Sequence, residues 1–262
     1  MAEKQLNTQA WQVLAAAVAA PRKRPGLGDD VVGHKVVQTA AAMWLIAVCA
    51  DGAGSARLGR RGAEVAVRQA LLWLQTKVQR KRAGQTPWMV SGLQRSVDRA
   101  LQAEAQRQKT SVRELATTLV CAVAGPTRTW LAQVGDGAAV VQMAVNSAWL
   151  LPIWPDRGEH VNETLFAGDP RSRWHSQELP PVQALAVLSD GLLPVAVDHA
   201  TRQPFQPFFS GLAGELRRGE AAQLHDAFVE FLSSPRLAER TDDDVSLVLA
   251  VRRAEAGGDV PA

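Results

Sequence analysis

Trp44 to Ala50 is an unbroken apolar run that ends in Asp51-Gly52-Ala53-Gly54-Ser55. A short apolar run bounded by turn residues reads as a strand buried on both faces. Gly52 and Gly54 permit a tight turn and leave the backbone bare, and Ser55 is placed to cap a following helix. A carboxylate at the mouth of a buried strand, beside an unshielded carbonyl, suits a hard metal ion. Asp-Gly is also an ordinary turn, so the pattern matters only if it recurs.

The rest of the chain supplies the frame. Trp11 to Ala20 reads as a first strand, Lys35 to Gln38 as a second, and Met43 to Ala50 as the central one. From Ser55 to Lys81, Val65, Leu71, Leu72, Leu74 and Val78 recur at helical spacing, which predicts a helix about 40 Å long. Gly84 and Pro87 break it. Trp88 to Lys109 repeats the periodicity with Leu93, Val97, Leu101 and Ala105, so a second helix should lie antiparallel to the first. Ala116–Ala124, Arg128–Val134 and Ala138–Val145, joined by Gly125-Pro126 and Gly135-Asp136-Gly137, read as a meander. The proline-rich stretch from Trp149 to Pro181 reads as a long functional loop or flap. Ala184 to Ser189 is another buried strand, Pro207–Arg217 and Glu220–Leu232 are two helices, and Val245 to Val251 is a closing strand. Residues 253–262 are expected to be a disordered tail.

Acidic residues now recur at strand ends. Ala47-Val48-Cys49-Ala50 leads to Asp51-Gly52, Ala132-Gln133-Val134 to Gly135-Asp136-Gly137, and Leu185–Ser189 to Asp190-Gly191. Thr241-Asp242-Asp243-Asp244 opens the closing strand, and Asp29-Asp30 lies in a glycine loop. Carboxylates gathered at one sheet edge repel one another unless cations sit among them. An all-oxygen donor set, without Cys-x-x-Cys or His-Glu-x-x-His, favours Mg²⁺ or Mn²⁺ over zinc. Two such ions sharing carboxylates can activate a water for in-line attack on phosphorus.

Composition narrows the alternatives. The 262 residues are 47% hydrophobic, enough for a sizeable core. The formal charge is only +3, carried by short clusters such as Arg22-Lys23-Arg24 and Arg80-Lys81-Arg82 with no interleaved aromatic stripe. These read as solvated loops and helix faces, so no nucleic-acid partner is expected. Cys49 and Cys121 both lie in apolar runs without ligand spacing, which points to buried thiols in a reducing cytoplasm. The N-terminal residues make a poor signal peptide. The longest uncharged stretch, Ala138 to Pro155, holds Gln142, Asn146 and Pro152, so it is not a membrane span.

The motifs Asp29-Asp30, Ala50–Ser55, Ala116-Thr117-Thr118-Leu119, Gly135-Asp136-Gly137, Asn162-Glu163-Thr164, Ser189-Asp190-Gly191 and Thr241–Ser246, in that order and spacing, resemble a metal-dependent Ser/Thr protein phosphatase of the 2C type, in its compact bacterial branch. The resemblance runs from Trp11 to about Val251. It implies an α+β fold, a four-layer α-β-β-α sandwich of two antiparallel sheets flanked by helix pairs, with the phosphatase domain over residues 1–252 and a flap at about 149–181. It further implies that Asp51 bridges two ions, the Gly52 carbonyl binds one of them, and Asp190 and Asp243 ligate the other. Asp29 and Asp30 would contact the ions or their waters, and Asp136 would help hold a third, weaker ion. Asp51, Asp190 and Asp243 are thereby the expected catalytic set.

This chain departs from the family pattern at two places. The histidine that many eukaryotic members carry after the central Asp-Gly is Ala53 here, so a bound water, or no acid at all, protonates the leaving oxygen. The phosphate-clamping arginine falls on Arg24, with Arg22 as the neighbouring candidate, because bidentate arginine suits phosphate. His34, His160, His175, His199 and His225 receive no catalytic role. The expected activity is hydrolysis of phosphoserine and phosphothreonine in a protein substrate, with Mn²⁺ or Mg²⁺ as cofactor and a Ser/Thr kinase as candidate partner. The alternatives are a pseudophosphatase kept as a binding module for a kinase and a hydrolase of small phosphate esters.

Overall fold

The structure is a computed structural model that describes residues 11–21, 23, 28–80, 89–156 and 165–253. Strands β1 (Trp11–Val18), β2 (Val31–Gln38) and β3 (Met43–Ala50) lead into helices α1 (Gly59–Gln79) and α2 (Val90–Arg107). Strands β4 (Leu119–Ala124), β5 (Thr129–Val134), β6 (Ala138–Gln142), β7 (Trp149–Leu150), β8 (His175–Leu179) and β9 (Ala184–Leu188) follow. Then come α3 (Leu193–Ala196), the ribbon of β10 (Val197–Asp198) and β11 (Gln203–Pro204), α4 (Gln206–Arg218), α5 (Ala221–Leu232) and α6 (Pro235–Ala238). Strand β12 (Val245–Arg252) closes the fold.

Two antiparallel five-stranded sheets form, in the orders β2-β3-β4-β5-β8 and β1-β12-β9-β6-β7. The alternation of strand side chains divides the interior into three apolar layers. On β3, Leu45, Ala47 and Cys49 face the second sheet and meet Leu185, Val187, Val248 and Ala250. Trp44, Ile46 and Val48 point the other way, against Ala66, Ala70, Leu74, Leu93 and Leu101 of α1 and α2. The outer face of the second sheet packs Leu14, Leu188 and Leu249 against Phe209, Leu216, Phe228 and Leu232 of α4 and α5. The architecture is therefore the α+β sandwich that the motifs imply, with a helix pair outside each sheet. Gln69 donates to Ser96 (2.8 Å) and Arg61 to Glu104 (2.8 Å), so α1 and α2 run antiparallel. Among the described residues, no helix is long and apolar enough to cross a membrane.

Several local expectations change. Ser55 does not cap α1, which begins at Gly59 behind Leu58. The intervening backbone is drawn off to other segments: Ala53 N–H donates to the Ala116 carbonyl and Leu58 N–H to that of Glu114, both at 2.9 Å. Leu72, placed by its spacing on the apolar face, is 56% exposed. The predicted meander ends at β5. β6 pairs with β9, not with β5, so Gly135-Asp136-Gly137 carries the chain from one sheet to the other. Gly135 has φ +90°, open to glycine at little cost, and a Cβ on Gly137 would lie 2.9 Å from the Leu188 carbonyl oxygen. The expected flap returns as an edge strand, β8, paired with β5. The motif at Asn162-Glu163-Thr164 and the tail from residue 254 lie outside the described residues.

The start of α1 packs so closely that one methyl group is a test. A Cβ on Gly62 would sit 2.0 Å from the Leu115 carbonyl oxygen, a backbone atom that cannot swing aside. Helix propensity alone would reward Gly62→Ala by about 1 kcal/mol. The clash should outweigh it, with a net loss of about 1–3 kcal/mol in urea unfolding.

Candidate metal centre

The crossover at Gly135–Gly137 explains why the acidic strand ends meet. In the first sheet Val31 pairs with Ala50, and Leu119 with Val134, so Asp30, Asp51 and Asp136 leave the same edge. In the second sheet Ala138 and Leu247 both pair with Leu188, which brings Asp190 and the Asp243-Asp244 segment to that edge too. Carboxylate oxygens of Asp51, Asp136 and Asp190 lie within 4.8 Å of one another.

Asp51 is held by its backbone, which leaves its carboxylate for the site. Its N–H donates to Thr118 Oγ1 (3.0 Å), and its carbonyl accepts from Thr118 N–H and Thr117 Oγ1, both at 2.8 Å. Gly52 makes a β-bridge to Thr117 and donates to the Asp29 carbonyl at 3.3 Å. A Cβ there would come within 2.3 Å of Gly59, so only glycine lets the α1 start close over this turn. Gly191 is under similar constraint, because a Cβ would lie 2.0 Å from the Asp244 carbonyl oxygen.

The electrostatics are those of a cation site. Burial lifts the Asp51 carboxyl far above the usual carboxylate range, and repulsion from Asp30, Asp243 and Asp136 adds to it. Asp190 is pushed up to about 8, by burial first and then by Asp136, Asp51 and Asp243. Asp30 also rises through burial, although hydroxyls of Ser189 and Ser246 oppose the shift. It is 4% exposed, and its Oδ2 has no hydrogen-bond partner among the described residues. An unpaired buried carboxylate oxygen is costly, and a divalent ion relieves both that cost and the mutual repulsion. The donor set is oxygen throughout, as hard cations prefer. The residues present therefore fit a divalent metal.

Other expected site residues differ in position. Asp243 is exposed, and its Oδ1 accepts from the Asp244 N–H at 2.8 Å. Asp29 points to Lys23 Nζ at 2.8 Å with about a third of its side chain exposed. Arg22 and Arg24 lie outside the described residues. Ala53 is buried and brings no polar group. Sequence pattern does not single out Thr117, Thr118, Ser189 and Ser246 as supports of the site. They belong to the motifs that carry the resemblance, but motif membership does not separate a hydroxyl that braces a turn from one in an ordinary strand. The buried thiol of Cys49 lies 3.0 Å from Ser246 Oγ, part of the same packing beneath the carboxylates.

Residues 26–233 match the protein phosphatase 2C family. Serine/threonine-protein phosphatase 3 of Escherichia coli (strain K12) is 32% identical over 209 residues, spanning 77% of this chain and 81% of that protein. The fold is similar to that of Serine/threonine phosphatase Stp1 from Staphylococcus aureus, with TM-score 0.60, 16% identity, and 93% and 95% of the two chains covered. PppA of Pseudomonas aeruginosa gives TM-score 0.58 at 16% identity, over 93% of this chain and 98% of that one. With the family match covering most of its length, the chain belongs to the protein phosphatase 2C family of protein serine/threonine phosphatases.

Proposed function

We propose that this chain hydrolyses phosphoserine and phosphothreonine in a protein substrate at a two-ion Mn²⁺ or Mg²⁺ centre, with residues 1–252 as the phosphatase domain. The reading is carried by one observation, the convergence of Asp51, Asp136 and Asp190 within 4.8 Å from three separate strand ends. Asp51, the Gly52 carbonyl, Asp190 and Asp243 would hold the ions, with Asp51 as the shared ligand. Asp29 and Asp30 would complete the set, and Asp136 beside Asp190 would serve a third, weaker ion. When bound, the ions supply the Lewis acidity that activates water and neutralises phosphate charge. The protein's own part is to fix the carboxylates from rigid strand ends, so that little reorganisation accompanies the reaction. Ala53 has no proton to give, so the leaving serine or threonine oxygen takes its proton from water. Arg24 is the proposed phosphate contact.

The natural counterpart of such an enzyme is a Ser/Thr kinase that installs the phosphate, and the buried free thiols Cys49 and Cys121 suit a cytoplasmic setting. The test is phosphate release from a phosphothreonine peptide. Protein dialysed against chelator should be inert and should recover with Mn²⁺ or Mg²⁺ but not with zinc alone. Full activity in excess chelator would overturn the two-ion centre. A folded, Mn²⁺-loaded protein that binds the peptide without turnover would mark a pseudophosphatase.

A further inference from the structure

Asp244 and Lys23 have no place in the ligand set, yet Asp244 touches three of its segments. Asp244 is 2% exposed, and both its carboxylate oxygens accept hydrogen bonds. Oδ1 accepts from Ala20 N–H at 2.7 Å, while Oδ2 accepts from Asp29 N–H and from Lys23 Nζ at 3.0 Å. Lys23 Nζ reaches Asp29 Oδ2 as well, at 2.8 Å. Through its backbone, Asp244 donates to Asp243 Oδ1 at 2.8 Å, and its carbonyl packs on Gly191 beside Asp190. One buried residue therefore joins the Asp29-Asp30 segment, Asp243 and the Asp190-Gly191 turn. Asp244 is buried while Lys23 is about a third exposed, so losing Lys23 leaves a buried carboxylate without its ion-pair partner.

We infer that Asp244 and Lys23 form a salt-bridged clamp that holds the Asp29-Asp30 segment and Asp243 in their metal-binding arrangement, as positioning residues and not as ligands. The inference rests on the reading that those carboxylates hold metal. Asp244 is spent on its donors, two backbone N–H groups and one ammonium. Lys23 carries the charge that balances it, at the wall of a cavity of about 730 Å³ that Asp30 and Asp243 also line.

Position and charge make opposite predictions for Lys23→Met, which gives a clean test. By Coulomb's law alone, deleting an ammonium beside a cation site tightens metal binding. If Lys23 acts by positioning, its loss lets Asp29 and Asp244 part, and binding weakens. Outer-shell partners of metal ligands are typically worth about 10- to 100-fold in affinity. Calorimetric titration of the full chain with Mn²⁺, without substrate, should show the dissociation constant of K23M raised about tenfold or more. Lys23→Arg, which keeps charge and reach, should restore most of it. Asp244→Asn, which keeps one of the two acceptor oxygens and loses the ion pair, should also bind more weakly, and it carries the test if K23M does not fold. Unchanged or tighter Mn²⁺ binding in folded K23M would overturn the clamp. If wild-type protein binds no Mn²⁺, the metal reading itself fails and the clamp falls with it.

Discussion

Asp51→Asn should lower turnover of a phosphothreonine peptide by about a thousandfold, on the scale of losing a main electrostatic element of an active site. The reason is position. Asp51 lies among Asp30, Asp136 and Asp243, whose charges act on it, and its own charge acts on Asp190. Asparagine is nearly isosteric, and the backbone bonds to Thr117 and Thr118 do not involve the changed atoms. The fold should therefore survive. The variant also removes one of several mutually repelling buried carboxylates, so its metal-free melting temperature should be no lower than that of wild type. A site carboxylate thus shows lost activity without lost stability, whereas a structural carboxylate loses both together. Asp29→Asn should lose far less, because that carboxylate is partly exposed and already engaged by Lys23. If Asp51→Asn, folded by circular dichroism, turns over near the wild-type rate, the placement of the bridging ligand is wrong.

Much of this arrangement is legible in the amino-acid sequence, because the signals are of the strongest local kind. A long apolar run flanked by glycine marks β3 to the residue, Met43–Ala50, and the 3.6-residue period marks α1 and α2 to within a few positions. The acidic candidates are legible because each follows such a run. The pairing of the strands is another matter. Nothing in Gly135-Asp136-Gly137 distinguishes a hairpin from a passage between sheets, since both need glycine. The choice is made by β9, about fifty residues onward, whose fully apolar face offers β6 a partner. Likewise, three consecutive aspartates before β12 look alike in sequence. Only the register with β9 buries Asp244 and leaves Asp243 at the site's edge. The Thr117 and Thr118 bonds to Asp51 and the Lys23–Asp244 pair are contacts across more than sixty residues, which local pattern does not encode.

The passage of residues 135–137 between the sheets bears directly on Asp136→Asn, expected to lower turnover about 10- to 100-fold while tightly bound metal is retained. If this segment were a hairpin turn, asparagine would be an ordinary replacement and little would change. The structure removes that explanation. Asp136 is 8% exposed, sits between the sheets, and has a carboxylate oxygen within 4.8 Å of those of Asp51 and Asp190. Its charge is, after burial, the foremost influence raising the Asp190 carboxyl. A turn residue has no need of that charge, and a shared divalent cation relieves the crowding as protonation would. On the proposed assignment Asp190 belongs to the two-ion set independently of Asp136, so removing Asp136 should empty only the weaker position. The consequence is read from turnover against Mn²⁺ concentration together with the metal content of the dialysed protein. The expected pattern is normal tight-metal content, low turnover, and a Mn²⁺ dependence displaced to higher concentration. Loss of tight metal as well would place Asp136 in the two-ion set itself. Unchanged kinetics would reduce it to a residue that packs between the sheets, and the third ion would have no ligand on this side.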